Sequence, residues 1–183
     1  MTRTKLSTKD IAYIGLVTTL IVICSWISIP MAIPFTLQTF AVAFALLFLG
    51  GKKGTLAIMI YLLIGAIGIP VFANFRGGIA SLVSPTGGYL VGFLIQGFIY
   101  SLFIPRFGES NMVKLITLLI GNVAIYAFGT IWFLIVIGNT MTFWVALGMC
   151  VFPYVIPDMI KLALAFVVVN RLKPILRKST TPT

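Results

Sequence analysis

Leu115-Ile-Thr-Leu-Leu-Ile-Gly-Asn-Val-Ala-Ile-Tyr-Ala-Phe-Gly-Thr-Ile-Trp-Phe-Leu-Ile-Val-Ile137 runs for 23 residues without a charged side chain. As a helix rising 1.5 Å per residue it reaches roughly 35 Å, enough to cross a hydrocarbon core of about 30 Å. The rest of the chain has the same character. Of its 183 residues 60% are hydrophobic and 9% charged, and the mean hydropathy is +1.15. Soluble domains carry about 25% charged residues, so too few are present here to cover a water-facing surface. Disorder needs low hydrophobicity, and an outer-membrane barrel needs apolar residues alternating at period two. Neither pattern is present. The composition specifies an all-α membrane protein that crosses the bilayer several times.

Six segments are long and apolar enough to be expected as spans, at about 10–29, 36–50, 54–72, 87–105, 113–137 and 142–170. They occupy residues 1–183 as a single integral membrane domain and leave no room for a soluble one. The second is short, so it is expected to start below the surface, with the Pro30–Pro34 connection buried by its neighbours as irregular backbone in a membrane must be. The basic stretch Arg3, Lys5, Lys9 followed by an apolar run superficially resembles a secretion leader. That run is too long for one and no small-residue cleavage site follows it, so a first spanning helix is expected.

Charge gives the orientation. Arg3, Lys5, Lys9, Lys52, Lys53, Arg106, Lys114, Arg171, Lys173, Arg177 and Lys178 all fall on one side of a six-span arrangement, and Arg76 alone falls on the other. Lys161 lies within a span. Basic residues are retained in cytoplasmic loops, so both termini are expected in the cytoplasm, in a multi-pass protein of the cytoplasmic membrane. The same rule accounts for the net charge of +10 without any nucleic-acid partner. The lipid bilayer is the surrounding medium.

The longest outward connection is Ala73–Thr86, followed by Gly87-Gly88-Tyr89. Gly77-Gly78, Pro85 and Gly87-Gly88 supply turn geometry. Ile79-Ala80-Ser81-Leu82-Val83 between them is moderately apolar. Two readings are open for the segment 73–88: a short helix resting on the bilayer, or a lid over a cavity between helices.

Asp158 and Lys161 carry the strongest chemical signal. Lys161 precedes Arg171 by ten residues, roughly 15 Å along a helix. Ionisable groups at that depth are costly unless paired or wetted, and mark function by default. Their i, i+3 spacing puts both on one helix face. They either neutralise each other in a structural salt bridge or line a polar pocket, where Asp158 accepts ligand N–H groups and Lys161 neutralises a ligand carboxylate. Pro153 and Pro157 lie just before them. Either a simple kink or a helix restarting at Pro157 fits.

Other polar residues give weaker signals. Asn74 and Arg76 stand at the outer mouth after span three, Gln38 begins span two, and Gln96, Asn122 and Tyr126 fall within spans four and five. Any of these also serves as an interhelical hydrogen bond. Asn74, Thr86 and Tyr89 flank the candidate lid, and with Gln38 and Asn122 they join Asp158 and Lys161 as candidate substrate-binding residues. In span one, Ala12, Gly15 and Thr19 form a small-residue stripe. It serves either packing within the chain or docking of a partner subunit.

Some classes are excluded. There is no histidine, no Ser/His/Asp set, no metal-ligand cluster and no reactive carboxylate pair, so neither an enzyme nor a cofactor is expected. Gly50-Gly-Lys-Lys-Gly54 lacks the arrangement that cradles nucleotide phosphates. Any active uptake must draw on a partner or an ion gradient. Cys24 and Cys150 lie in apolar runs and are expected as buried small hydrophobes.

Ile33-Pro-Phe-Thr-Leu-Gln-Thr-Phe40, Gly65-Ala-Ile-Gly-Ile-Pro-Val-Phe-Ala73, Arg76-Gly-Gly78, Ser84-Pro-Thr-Gly-Gly-Tyr-Leu-Val-Gly-Phe93 and Pro157-Asp-Met-Ile-Lys-Leu-Ala163 together resemble the BioY family. These are the biotin-binding S components of energy-coupling factor (ECF) transporters. The resemblance extends over all six expected spans. It implies the S-component fold of six membrane helices with cytoplasmic termini, and a site opening outward beneath the loop joining spans three and four. The family's Asp and Lys fall on Asp158 and Lys161, and a loop asparagine on Asn74. Complementary charge assigns Asp158 to the ureido N–H groups of biotin and Lys161 to its carboxylate. The resemblance also implies partners: an ECF transmembrane coupling protein and two ABC ATPase subunits. The Ala-x-x-x-Ala docking motif of such S components is loosened here, because Leu16 follows Ala12 at the fourth position while Gly15 and Thr19 stay small. Transport of another small vitamin, or a self-sufficient proton-coupled carrier, are the alternatives.

Overall fold

The computed structural model describes residues 6–31, 33–138 and 141–179. Arg3 and Lys5 lie outside these. Helix α1, Thr8–Trp26, opens with a capping box. The Ser7 hydroxyl accepts from the Asp10 amide at 3.2 Å, and the Asp10 carboxylate accepts from the Ser7 amide at 3.1 Å. The two orphan donors are satisfied reciprocally, and an acid sits at the positive end of the helix.

After α1 the chain makes a two-residue antiparallel pair, β1 (Ser28–Ile29) with β2 (Phe35–Thr36). The Leu37 amide then returns to the Cys24 carbonyl at 3.1 Å. The connection expected to be buried is only partly so. Ile33 is buried, while Pro30 and Met31 are exposed. Strand pairing satisfies much of its backbone, which lessens the need for cover.

Helix α2, Gln38–Leu49, is the centre of the molecule. Nine of its twelve residues are buried, as befits a helix that is apolar on every side. It packs against α1, α3 (Gly51–Ala66) and the last helix, α8 (Phe152–Ser179). Its alanines at 41, 43 and 45 are fully buried and let neighbouring backbones approach. A short α4 (Ile79–Val83) precedes α5 (Gly87–Phe107), which forms a long helical hairpin with α6 (Asn111–Ile137). The Ser110 hydroxyl caps α6 by accepting from the Val113 amide at 3.3 Å.

The segment expected as one span at 142–170 is two helices, α7 (Phe143–Cys150) and α8 (Phe152–Ser179). The break falls at Val151, with φ −124° and ψ −60°, and Pro157 lies inside α8. Pro153 occupies the first turn of α8, where its missing N–H costs nothing. Pro157 leaves the carbonyl four residues earlier without its helical donor.

Among the described residues, four stretches are long and apolar enough to cross a membrane: Thr8–Trp26, Gly87–Phe107, Asn111–Ile137 and Phe143–Ile175. The expected spans at 36–50 and 54–72 are the shorter helices α2 and α3. Large apolar side chains such as Leu16, Leu102, Ile135 and Ile156 face outward, the coat expected where lipid replaces water. The cations gather at one end. Lys53 bonds Asp10 at 2.6 Å, and Lys52, Lys114 and Lys173 line one cavity with Glu109.

The loop before α5 is tied down by close backbone contact. A β-carbon on Gly87 would stand 1.7 Å from the Leu82 carbonyl oxygen, so any side chain there forces the two segments apart. Around Gly15 there is nothing within 4 Å. Gly87→Ala is therefore expected to destabilise by about 1–3 kcal/mol, whereas Gly15→Ala, which restores helix propensity, leaves stability unchanged or higher. Thermal unfolding of the two purified variants checks this. Equal midpoints would mean that the Leu82–Gly87 contact is not maintained.

Candidate functional site

The helices enclose a cavity of about 810 Å³, counted out to its open mouth, between β2, α2, the 73–86 segment, α5, α6, α7 and α8. On its wall stand Gln38 from α2, Thr86 and Tyr89 from the start of α5, and Asp158 and Lys161 from α8. Five of the seven substrate-binding candidates are thus brought together by three separate stretches of the chain.

Asp158 and Lys161 are only 5% and 6% exposed. Lys161 Nζ donates to Asp158 Oδ1 at 2.9 Å, one helical turn away on the same face. Tyr126 on α6 donates its hydroxyl to the other oxygen, Oδ2, at 2.6 Å. The ammonium also lies 3.9 Å from the centroid of the Phe35 ring, a favourable cation–π position. Phe35 in turn stacks on Tyr154, whose hydroxyl donates to the Ile33 carbonyl. The pair therefore grips itself, but it does so on the cavity wall and not in sealed packing. Each carboxylate oxygen still has a lone pair and the ammonium still has N–H bonds for a ligand.

Around this centre the polar groups are held in place. Gln38 Nε2 donates to the Tyr61 hydroxyl at 2.6 Å, and that hydroxyl donates to Ser25 at 3.2 Å. Gln38 Oε1 accepts from Thr36 at 3.0 Å. Tyr89 shares a 3.0 Å hydrogen bond with Thr130. Phe72, Leu90, Phe93 and Ile125 supply apolar wall. A small molecule with both apolar and hydrogen-bonding surface fits this arrangement.

Two candidates lie off the wall. Asn74 is exposed and accepts a hydrogen bond from Ser28 at 2.9 Å. Its backbone is left-handed, with φ 57°, and its neighbours Ala73 and Arg76 face the cavity in its place. Asn122 is buried, one turn before Tyr126, with neither amide atom partnered among the described residues. Sequence reading passed over Tyr126 as a possible ligand of Asp158. They are 32 residues apart, and a tyrosine in an apolar run carries no mark of its partner.

The segment 73–88 borders the cavity. It contains a 3-10 turn at Ala73–Phe75 and helix α4, and Ser81, Ser84 and Thr86 face the cavity. Trp132 on α6 donates its indole N–H to the Ser84 carbonyl at 3.0 Å and holds the segment down. On the opposite flank, Ala12, Gly15 and Thr19 are all exposed, so the small-residue stripe of α1 does not pack within the chain. Thr18 turns inward instead, donating to the Ala57 carbonyl at 3.3 Å.

Comparison with known proteins gives a consistent answer. A protein of Thermotoga maritima described as "Biotin transporter BioY" is 42% identical over 165 residues, which covers 87% of this chain and 92% of that protein. A "Probable biotin transporter BioY" of Pyrococcus horikoshii is 39% identical over 166 residues, 90% of this chain and 96% of that one. A crystal structure described as the S-component for biotin from an ECF-type ABC transporter superposes with a TM-score of 0.82. It covers 95% of each chain at 27% identity. The description "BioY family" matches residues 1–178, and the chain belongs to that family of transporter S components.

Proposed function

We propose that the protein is a high-affinity biotin-binding membrane subunit that captures biotin from outside the cell and delivers it inward together with an ECF ATPase module. The observation that carries this is the cavity itself, with a buried Asp158–Lys161 pair on a wall otherwise mostly apolar. Relatives described as biotin transporters, and a fold shared with a biotin S-component, support it.

Biotin has a ureido head with two N–H donors and one carbonyl acceptor, a fused apolar ring and a carboxylate on a flexible chain. Asp158 and Lys161 offer an acceptor and a donor within 2.9 Å of each other, which matches the ureido head and is too close to serve both ends of the molecule. Asp158 accepts from ureido N–H while Lys161 donates to the ureido carbonyl. This spacing argues against giving Lys161 to the carboxylate. Tyr126 orients Asp158 through its hydroxyl. Phe72, Leu90 and Phe93 cover the apolar ring, with Tyr89 and Thr86 beneath the loop. Asn74 positions the 73–88 segment through Ser28, which closes over the bound molecule. Asn122 supports the Tyr126 turn of α6.

The fold is read as a six-span S component, with α7 and α8 forming the last crossing and both termini in the cytoplasm. The cationic end then faces inward, and the cavity mouth faces outward. The exposed stripe Ala12, Gly15, Thr19 is the face on which the ECF transmembrane coupling protein docks, and two ABC ATPases supply the energy. The stripe carries no bulky side chain that would hold a second helix away.

Three outcomes are expected. Biotin at 100 times its Kd raises the stability of the purified chain by about 2.7 kcal/mol, read as a thermal shift absent with unrelated vitamins. Asp158→Asn and Lys161→Ala each lower biotin affinity at least about 100-fold in a titration, since each strands a buried partner. Undiminished affinity in either variant contradicts the site. Single cysteines placed at Lys52 and Arg76 react with an impermeant thiol reagent from opposite faces, the first only from inside. Labelling of both from one side overturns the orientation.

A further inference from the structure

The chain has three acidic side chains, Asp10, Glu109 and Asp158, and each stands beside a lysine. Asp10 meets Lys53 at 2.6 Å, Glu109 meets Lys114 at 3.9 Å, and Asp158 meets Lys161 at 2.9 Å. Arg76 lines the mouth of the cavity and has no ion-pair partner among the described residues. Asp10 and Glu109 belong to the cationic end of the molecule, and Asp158 is buried at the inner wall.

The backbone on both sides of Arg76 is fixed. Phe72 donates its amide to the Arg76 carbonyl at 2.8 Å, and the Arg76 amide donates to the Ala73 carbonyl at 3.3 Å. At Gly77 a β-carbon would stand 2.4 Å from the Ile69 carbonyl oxygen, and the Gly78 amide donates to the Gly65 carbonyl at 2.7 Å. A guanidinium is thereby presented at a set point on a constrained turn. The nearby hydroxyl donors are already committed, Ser81 to the Gly77 carbonyl and Ser84 to the Ser81 carbonyl.

The cavity therefore carries two unlike charged groups. One is a buried ion pair of zero net charge, and the other is an exposed guanidinium with no counter-ion among the described residues. A ligand carboxylate placed on Lys161 would lie beside the Asp158 carboxylate in a low-dielectric site and be repelled. At the mouth it meets a planar cation with bidentate donors and no competing acid.

We propose that Arg76 is the carboxylate anchor of the site and sets its preference for an acidic over a neutral ligand tail. The inference rests on the biotin reading above. It is tested by titrating the full-length purified protein with biotin and with biotin amide, which keeps the head and ring but has an uncharged tail. Wild type is expected to prefer biotin by about tenfold or more, the scale of a charged hydrogen bond. Arg76→Ala is expected to bring the two ligands within about twofold of each other, and Arg76→Lys to retain part of the preference. Lys161→Ala weakens both ligands together. If Arg76→Ala keeps the full preference, or weakens both ligands equally, the anchor assignment is overturned and the guanidinium serves lipid phosphate or loop structure. If Lys161→Ala alone erases the preference, the carboxylate belongs to Lys161. A wild-type protein that binds neither ligand removes the biotin reading itself, and the anchor with it.

Discussion

A carboxylate and an ammonium placed 2.9 Å apart inside a chain with 60% hydrophobic residues form the constraint on which the rest of the structure depends. Neither charge can be left alone there, and each is met from several sides. Tyr126 reaches across from α6, Phe35 comes from β2, and α8 presents both ions on one face. Three separate parts of the chain thus meet at this ion pair. A buried ion pair is weak support for stability, because apolar replacements of similar volume often do as well. Its position on a cavity wall gives it another use.

The surrounding architecture serves that use. Helix α2 is short and largely buried, and the hairpin and the start of the helix bring Ile33, Thr36 and Gln38 to the cavity. The break at Val151 lets α7 and α8 approach from different directions. Tyr154 then reaches Ile33 and Asp158 reaches Tyr126. The loop from Ala73 to Thr86 is pinned by Trp132 and by backbone contacts, which gives that wall of the cavity a defined shape before any ligand arrives. Pre-formed walls reduce the ordering cost of binding.

Much of this was legible in the residues. Long charge-free runs mark α5 and α6, and depth alone singles out Asp158 and Lys161. Less legible was anything set by contact across the chain. No local pattern tells that Tyr126 serves Asp158, because aromatic residues in apolar runs have many uses. Pro157 fits either a simple kink or a restarted helix, and no local rule favours Val151, where the break falls while Pro157 stays inside α8. The pairing of Ser28–Ile29 with Phe35–Thr36 is too short to leave a period in the sequence. The Asn74 amide was expected at the ligand, but a left-handed backbone turns it toward Ser28.

The central claim is that the buried ions are retained for a guest and not for the fold. The measurement that tests it most directly is paired thermal unfolding and biotin titration of the double variant Asp158→Leu with Lys161→Met. The account predicts a folded protein whose unfolding midpoint is at or above that of wild type and whose affinity for biotin is lost. A double variant that still binds biotin tightly, or one that fails to fold at all, contradicts it.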